Sequence, residues 1–165
     1  MTKILLLSDT HGYLDQQMLK YVNQADEVWH AGDIGNLKVT DTIAKTKPVR
    51  AVYGNIDDAV TRLQYPLDNK FTIEGKKVWI THIGGSPNRY EKRIREELKI
   101  FSPDIFISGH SHILKIIFDK KNNLLHLNPG AAGKSGIHHI RTMLRFTISA
   151  NLIENMEIIE LEQRI

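Results

Sequence analysis

The sequence predicts an α/β fold in which two packed, mixed β-sheets are flanked by helices, and three observations lead to it. Short apolar runs rich in Val, Ile, Leu and aromatics recur along the chain, each closed by polar residues, most often with Gly or Pro among them. Helical patterns lie between several of these runs. After residue 112 the pattern changes to hairpins.

The runs come in a fixed order. Lys3 to Leu7 gives way to Ser8-Asp9-Thr10-His11-Gly12, Glu27 to Ala31 leads into Gly32-Asp33, and Val49 to Tyr53 leads into Gly54-Asn55-Ile56-Asp57. Val78 to Thr81 ends at His82, Ile105 to Ser108 at Gly109-His110-Ser111-His112, and Leu124 to Leu127 at Asn128-Pro129-Gly130. Runs of this length and composition read as buried strands. Tyr13 to Asn23 sets Leu14, Met18 and Val22 on one helix face. Pro87 to Phe101 does the same with Tyr90, Ile94 and Leu98, with Ser86 as N-cap and Pro87 in the first turn. The charged residues between those positions, Glu91 to Lys99, read as a solvated face. Asp119 to Asn123 forms one hairpin turn, and Ile140 to Leu161 holds a two-strand pattern. No repeat, low-complexity segment or linker interrupts the chain, so its 165 residues are expected to form a single domain, 1–165.

Composition narrows the chemistry. Hydrophobic residues make up 41% and charged residues 25%, which excludes disordered and fibrous classes. There is no cysteine, so disulfides and thiolate metal sites are excluded and any metal must sit on nitrogen and oxygen. The apolar run Ile4 to Leu7 is too short for a signal peptide, and no stretch approaches the length of a membrane span; a cytoplasmic location is expected. The net charge of +3 is mild and its basic residues are scattered. That balance suits a phosphate-bearing substrate and does not indicate a dedicated nucleic-acid surface.

In α/β sheets, side chains just beyond the carboxyl ends of neighbouring strands converge on one crevice. Here that crevice would be lined by Asp9, His11, Asp33, Asn55, His82, His110 and His112, all competent ligands for a borderline or hard divalent ion. Each element alone has a structural explanation. Asp9 and His11 could cap a helix, Gly32-Asp33 and Gly54-Asn55 are common turn pairs, and His82 could be a satisfied core histidine. The pair His110 and His112 is stronger, because residues i and i+2 of an extended segment point to the same side. The same chemistry at five successive strand ends outweighs the separate explanations.

In this order, Asp9-Thr10-His11, Gly32-Asp33, Gly54-Asn55, His82 and Gly109-His110-Ser111-His112 resemble the signature of the calcineurin-like metallophosphoesterase superfamily, nearest its small single-domain bacterial and archaeal phosphodiesterase branch. The resemblance spans residues 3 to about 133 and implies a four-layer α/β/β/α sandwich. It implies that Asp9, His11 and His112 hold one divalent ion, that Asn55, His82 and His110 hold another, and that Asp33 bridges the two. Manganese is the expected metal, with iron, zinc or nickel as alternatives. The implied reaction is in-line attack on phosphorus by a metal-bridging hydroxide, with Asp33, Asn55 and His82 in the catalytic centre and Asp57 orienting a ligand from behind it. A phosphate ester is the expected substrate, and self-association into a homo-oligomer is an option the branch suggests.

Several positions depart from the pattern. Many phosphomonoesterases and protein phosphatases of the superfamily carry a His directly after the motif Asn to protonate the leaving group, and here that place is Ile56. The small phosphodiesterase branch also tends to lack it, which favours diesters. His138 and His139 are candidate substitutes, although both read more simply as surface residues in a turn. After His82 the branch places Gly immediately, whereas this chain reads Ile83-Gly84-Gly85; after Asn128-Pro129-Gly130 it often places Ser, whereas Ala131 stands here. His30 reads as a packed histidine. A phosphomonoesterase is the alternative enzyme reading, and a non-catalytic protein-binding scaffold the alternative outside enzymes. The complete set of seven ligands speaks against the scaffold.

Overall fold

The computed structural model describes residues 1–162. Its first strand sets the architecture. β1 (Thr2–Leu7) buries Ile4 and Leu6 on one face and Leu5 and Leu7 on the other, which is why the stretch from Ile4 to Leu7 is apolar without alternation. It pairs in parallel with β2 (Glu27–His30), which pairs in parallel with β3 (Val49–Ala51). On its other side β9 (Thr142–Ser149) and β10 (Leu152–Glu160) add antiparallel, giving the order β10-β9-β1-β2-β3. The second sheet runs β4 (Asp68–Ile73), β5 (Lys76–Thr81), β6 (Ile105–Ile107), β8 (Leu124–Asn128), β7 (Lys115–Asp119). Its three central strands are parallel and both edges antiparallel.

Three apolar clusters show how the layers stack. Between the sheets lie Ile4, Leu6, Trp29, Val78, Ile80, Ile105, Leu127 and Phe146 with their neighbours. The outer face of the first sheet is covered by α1 (Gln16–Gln24) through Met18 and Val22 and by α2 (Leu37–Ala44) through Val39 and Ile43. The outer face of the second is covered by α4 (Lys92–Leu98), whose Ile94 and Leu98 meet Trp79, Phe106 and Tyr90. The expected four-layer α/β/β/α sandwich is therefore the observed fold.

Local departures have visible causes. α1 begins later than the expected Tyr13, because Asp15 is the cap and its carboxylate accepts from Met18 N at 2.8 Å. Ser86 is not an N-cap: Arg89 N donates to Ser86 O in a turn, Asn88 adopts φ +68°, and the helix starts only at Lys92. The apolar stripe of Tyr90, Ile94 and Leu98 is nevertheless buried as expected. α2, α3 (Ala59–Gln64) and β4 were not anticipated; the helices are one to two turns long and are started by the side chains of Asn36 and Asp58.

Candidate metal centre

The loops that follow β1, β2, β3, β5 and β6 all open on one rim of the sandwich, where the carboxyl ends of three parallel strands from one sheet face two from the other. Two donor groups form there. Asp9, His11 and His112 make the first, and Asp33, His82 and His110 the second, each with one ligand atom per residue lying within 4.8 Å of the others. Asn55 joins the second group, its Oδ1 standing 3.1 Å from His82 Nε2 and 3.0 Å from His110 Nδ1. Asp33 lies between the groups: its Oδ2 is 3.5 Å from His11 Nε2 and its Oδ1 3.2 Å from His82 Nε2.

Backbone geometry aims these side chains inward. Asp9, His11, Asp33, His110 and His112 have φ between +46° and +67°, the left-handed region that non-glycine residues seldom occupy. Such conformations cost energy and persist where surrounding structure enforces them, as at functional sites. Backbone bonds provide that enforcement. Asp9 N donates to Gly32 O and His11 N to Asp33 O, so the first two loops brace each other. Glycine is required where the loops press closest: a side chain at Gly54 would collide with the Asp33 carboxylate, and one at Gly32 would stand 2.6 Å from His82 Nδ1.

The hydrogen-bond pattern leaves lone pairs facing the centre. His82 Nδ1 lies 2.8 Å from Ala31 O, a pure acceptor, so this nitrogen carries the proton and Nε2 of the neutral ring presents a lone pair. Burial opposes the charged form of His82, but in that form Nε2 can donate to Asp33, and this bond with the charges of Asp9 and Asp33 outweighs burial and raises the pKa. The Nε2 lone pair belongs to the neutral ring, which a cation would select. Asp33 responds in the opposite sense: burial favours its neutral form, and the His82 contact, the Ile56 N–H bond and His11 together lower its pKa. Asp9 Oδ2 accepts from Ser8 Oγ at 2.6 Å and from His110 N at 3.2 Å. Its Oδ1 and the Nε2 of His11 are buried without any hydrogen-bond partner. His112 Nε2 approaches Asp9 Oδ1 to 3.1 Å without hydrogen-bond alignment. Orphaned buried lone pairs of this kind, converging from N and O donors, fit a divalent cation.

Two supporting residues differ from expectation, and a third, Asn128, takes one of the two roles its motif left open. Asp57 touches no donor side chain; its carboxylate accepts from the backbone N–H groups of Ile34, Gly35 and Gly54, tying the Asp33 loop to the Asn55 loop. His138 is no surface residue: it packs half-buried against His112, with ring centroids 5.0 Å apart, whereas His139 is exposed. Asn128 is more than a strand-ending turn, since its Nδ2 donates to Gly109 O and Ser111 Oγ and holds the loop carrying His110 and His112. Ser8, buried beneath Asp9, was missed; a serine before an aspartate carries no distinguishing signal in sequence. The two glycines after His82 lie against Phe106 and Arg89 and leave His82 in place.

His30 is packed as expected. Its Nδ1 accepts from Gly32 N, so its Nε2 donates to Thr10 Oγ1, which in turn donates to Ile34 O. Burial lowers its pKa to about 4 and keeps it neutral.

A cavity of about 410 Å³ opens beside Asn55 and His82, bounded by Tyr53, Arg62, Leu67, Ile83 and Arg93. A second cavity, about 500 Å³, lies between α1 and the β9–β10 pair and contains none of the donor residues. No helix among the described residues is long and apolar enough to cross a membrane.

Comparison with known proteins agrees with this geometry. Residues 2–151 match the family model of the calcineurin-like phosphoesterase superfamily domain, and the chain belongs to that family. A Mycoplasma pneumoniae protein described as "Probable metallophosphoesterase" is 31% identical over 137 residues, covering 79% of each chain. Among solved structures, one described as a novel archaeal phosphodiesterase superposes with a TM-score of 0.75 at 21% identity, covering 96% of this chain and 99% of that one. Vps29 of Entamoeba histolytica complexed with Zn2+ superposes with a TM-score of 0.76 at 16% identity, covering 96% and 98%.

Proposed function

We propose that this protein is a metal-dependent phosphodiesterase whose two donor groups hold two divalent ions, manganese by preference, with Asp33 shared between them. The observation that carries the reading is the Asp33 carboxylate, which offers one oxygen to each group beside the unpartnered atoms Asp9 Oδ1 and His11 Nε2. A pair of ions bound there would supply a water of lowered pKa and would offset charge on the phosphoryl oxygens. The chain's own residues do the rest. Asp33, whose two oxygens face His11 and His82 in different groups, would partly neutralise two neighbouring cations. Ala31 O fixes the His82 tautomer so that its lone pair faces inward. Asp57 keeps the Asp33 and Asn55 loops in register.

Diesters are favoured over monoesters on two grounds. The position after Asn55 holds Ile56, whose half-exposed side chain cannot donate a proton to a poor leaving group. His138, the imidazole packed against His112, directs its ring nitrogens to His112 and Gly133 O. The cavity next to Asn55 and His82 gives a second ester arm an apolar wall at Leu67 and Ile83 and cations at Arg62 and Arg93.

The competing reading is a binding scaffold, since Vps29 neighbours share the fold. Parallel assays on a bis-aryl and a mono-aryl phosphate with Mn2+ decide between the readings. Metal-dependent turnover with preference for the diester is expected. Preference for the monoester overturns the substrate class, and no turnover with any of Mn2+, Zn2+, Fe2+ or Ni2+ favours the scaffold.

A further inference from the structure

His112 and His82 occupy matching places in the two donor groups, yet they are supported differently. His82 leans on a main-chain carbonyl at the end of β2. Among the described residues no backbone oxygen meets His112 in this way; its Nδ1 instead lies 3.2 Å from Nδ1 of His138. The direction of that bond can be worked out from its far end. His138 Nε2 stands 2.9 Å from Gly133 O, and a carbonyl only accepts, so Nε2 carries the proton. In the neutral ring Nδ1 is then an acceptor, and the hydrogen between the two rings belongs to His112 Nδ1. The lone pair of His112 consequently sits on Nε2, the atom that faces Asp9 Oδ1 in the first donor group.

The surroundings hold this pair deliberately close. Gly136, at φ +118°, runs its backbone against both rings; a side chain there would stand 2.6 Å from His112 Cε1 and 3.0 Å from His138 Nδ1. The segment that carries His138 is tied to the Asp9 loop by Ala132 N to Ser8 O at 2.9 Å and Gly133 N to Asp9 O at 3.1 Å. It is closed by the buried Arg141, whose Nε donates to Ala132 O and whose Nη2 meets Asp15.

We infer that His138 is a positioning residue that selects the tautomer of His112 and so makes the Asp9, His11 and His112 group competent for a cation. The inference rests on reading that group as a cation site. Carboxylates and carbonyls commonly orient ligating histidines; here a neutral imidazole, itself oriented by Gly133 O, takes that place. Loss of such an orienting partner typically lowers metal affinity about 10–100-fold.

Calorimetric titration with Mn2+ of the full chain and of H138A, H138F and H138N tests this. The unmodified protein is expected to take two ions. H138A and H138F should lose about 10–100-fold in affinity at one site and keep the other, which also verifies that they are folded. H138N, whose amide oxygen can replace the Nδ1 acceptor, should recover most of the loss. Long-range 1H–15N spectra of the histidine rings of the Zn2+-loaded protein should show His112 protonated at Nδ1 and should lose that signature in H138A. Wild-type affinities in H138A and H138F, or equal losses in H138N and H138A, overturn the inference. Failure of the unmodified protein to bind Mn2+ at all would instead remove the cation reading beneath it.

Discussion

The two donor groups are built from the same chemistry but anchored by different parts of the molecule. The second group is held by the sheets: His82 follows β5 directly and bonds to Ala31 O at the end of β2, and Asp57 ties the loops of Asp33 and Asn55 together. The first group is held partly by loops, with His112 resting on His138 in a segment that enters 26 residues later in the chain. Anchoring by backbone at strand ends resists substitution, whereas anchoring by a side chain on a loop can be removed by one mutation. The groups should therefore differ in how easily they lose an ion, and variants can be ordered by how strongly they disturb that difference.

The largest effect erases it. Asp33→Asn removes the charge shared by both groups, and turnover of a bis-aryl phosphate with Mn2+ should fall by more than about 100-fold, beyond what loss of an orienting residue costs. Both ions should bind more weakly in the same titration. A variant that loses one ion and keeps the other at full affinity would show that Asp33 is not shared.

Asp57→Ala should sharpen the comparison from the other side. Three backbone N–H groups lose their acceptor. Each buried donor left unpaired costs about 1–3 kcal/mol, so the thermal midpoint should drop measurably. Metal affinity should fall in both groups, because the Asp33 loop serves both, and more in the one that also draws on the Asn55 loop. Equal loss in both groups would mean that the strand-end loops are not independently braced.

Ile56→His leaves both groups intact and addresses selectivity. If the missing proton donor is the reason for diester preference, monoester turnover should rise by about tenfold, below the roughly 10²–10⁴ available to a well-placed general acid. An unchanged ratio of monoester to diester rates counts against that reason.

The smallest effect should spare the site altogether. His30 and His126 are buried, and both have pKa values lowered to about 4, by burial first and for His126 also by the charge of Lys115. The unfolded chain takes up these protons near pH 6.5 and the folded chain only near pH 4. Stability should therefore fall as pH drops through that window, by at most about 3 kcal/mol per histidine. His126 sits between Tyr90 and Phe106, and its ring nitrogens make at most a weak contact with the Phe106 backbone, too poor to offset burial. His126→Phe should thus be neutral or stabilising at pH 7 and should flatten the acid limb of a denaturation series, with Mn2+ binding unchanged. An equally steep acid limb in the variant would exclude His126 as a source.

Much of this arrangement was legible in sequence because the constraint is local. A strand buried on both faces must be apolar throughout, so the runs at residues 3–7, 78–81 and 105–108 stand out, and ligand-type residues directly after them are conspicuous. What was not legible depends on approach between distant segments. Nothing about His138 announces that Gly136 will let it reach His112, and nothing about Asp57 announces that it will bind backbone rather than a ligand. The left-handed backbone at Asp9, His11, Asp33, His110 and His112 is also invisible, because those positions carry no glycine to mark it. Ser86-Pro87 misled for a related reason: it has the chemistry of a helix start, but the chain makes a separate turn there before α4 begins.

Two cations meeting at one shared carboxylate are the premise of the proposed function, and a crystal structure of the Mn2+-soaked protein with anomalous scattering measured at the manganese edge tests it most directly. Two peaks about 3.5–4 Å apart are expected, one among Asp9, His11 and His112 and one among Asn55, His82 and His110, with an Asp33 oxygen on each. A single peak, two peaks without Asp33 between them, or manganese bound elsewhere would contradict it.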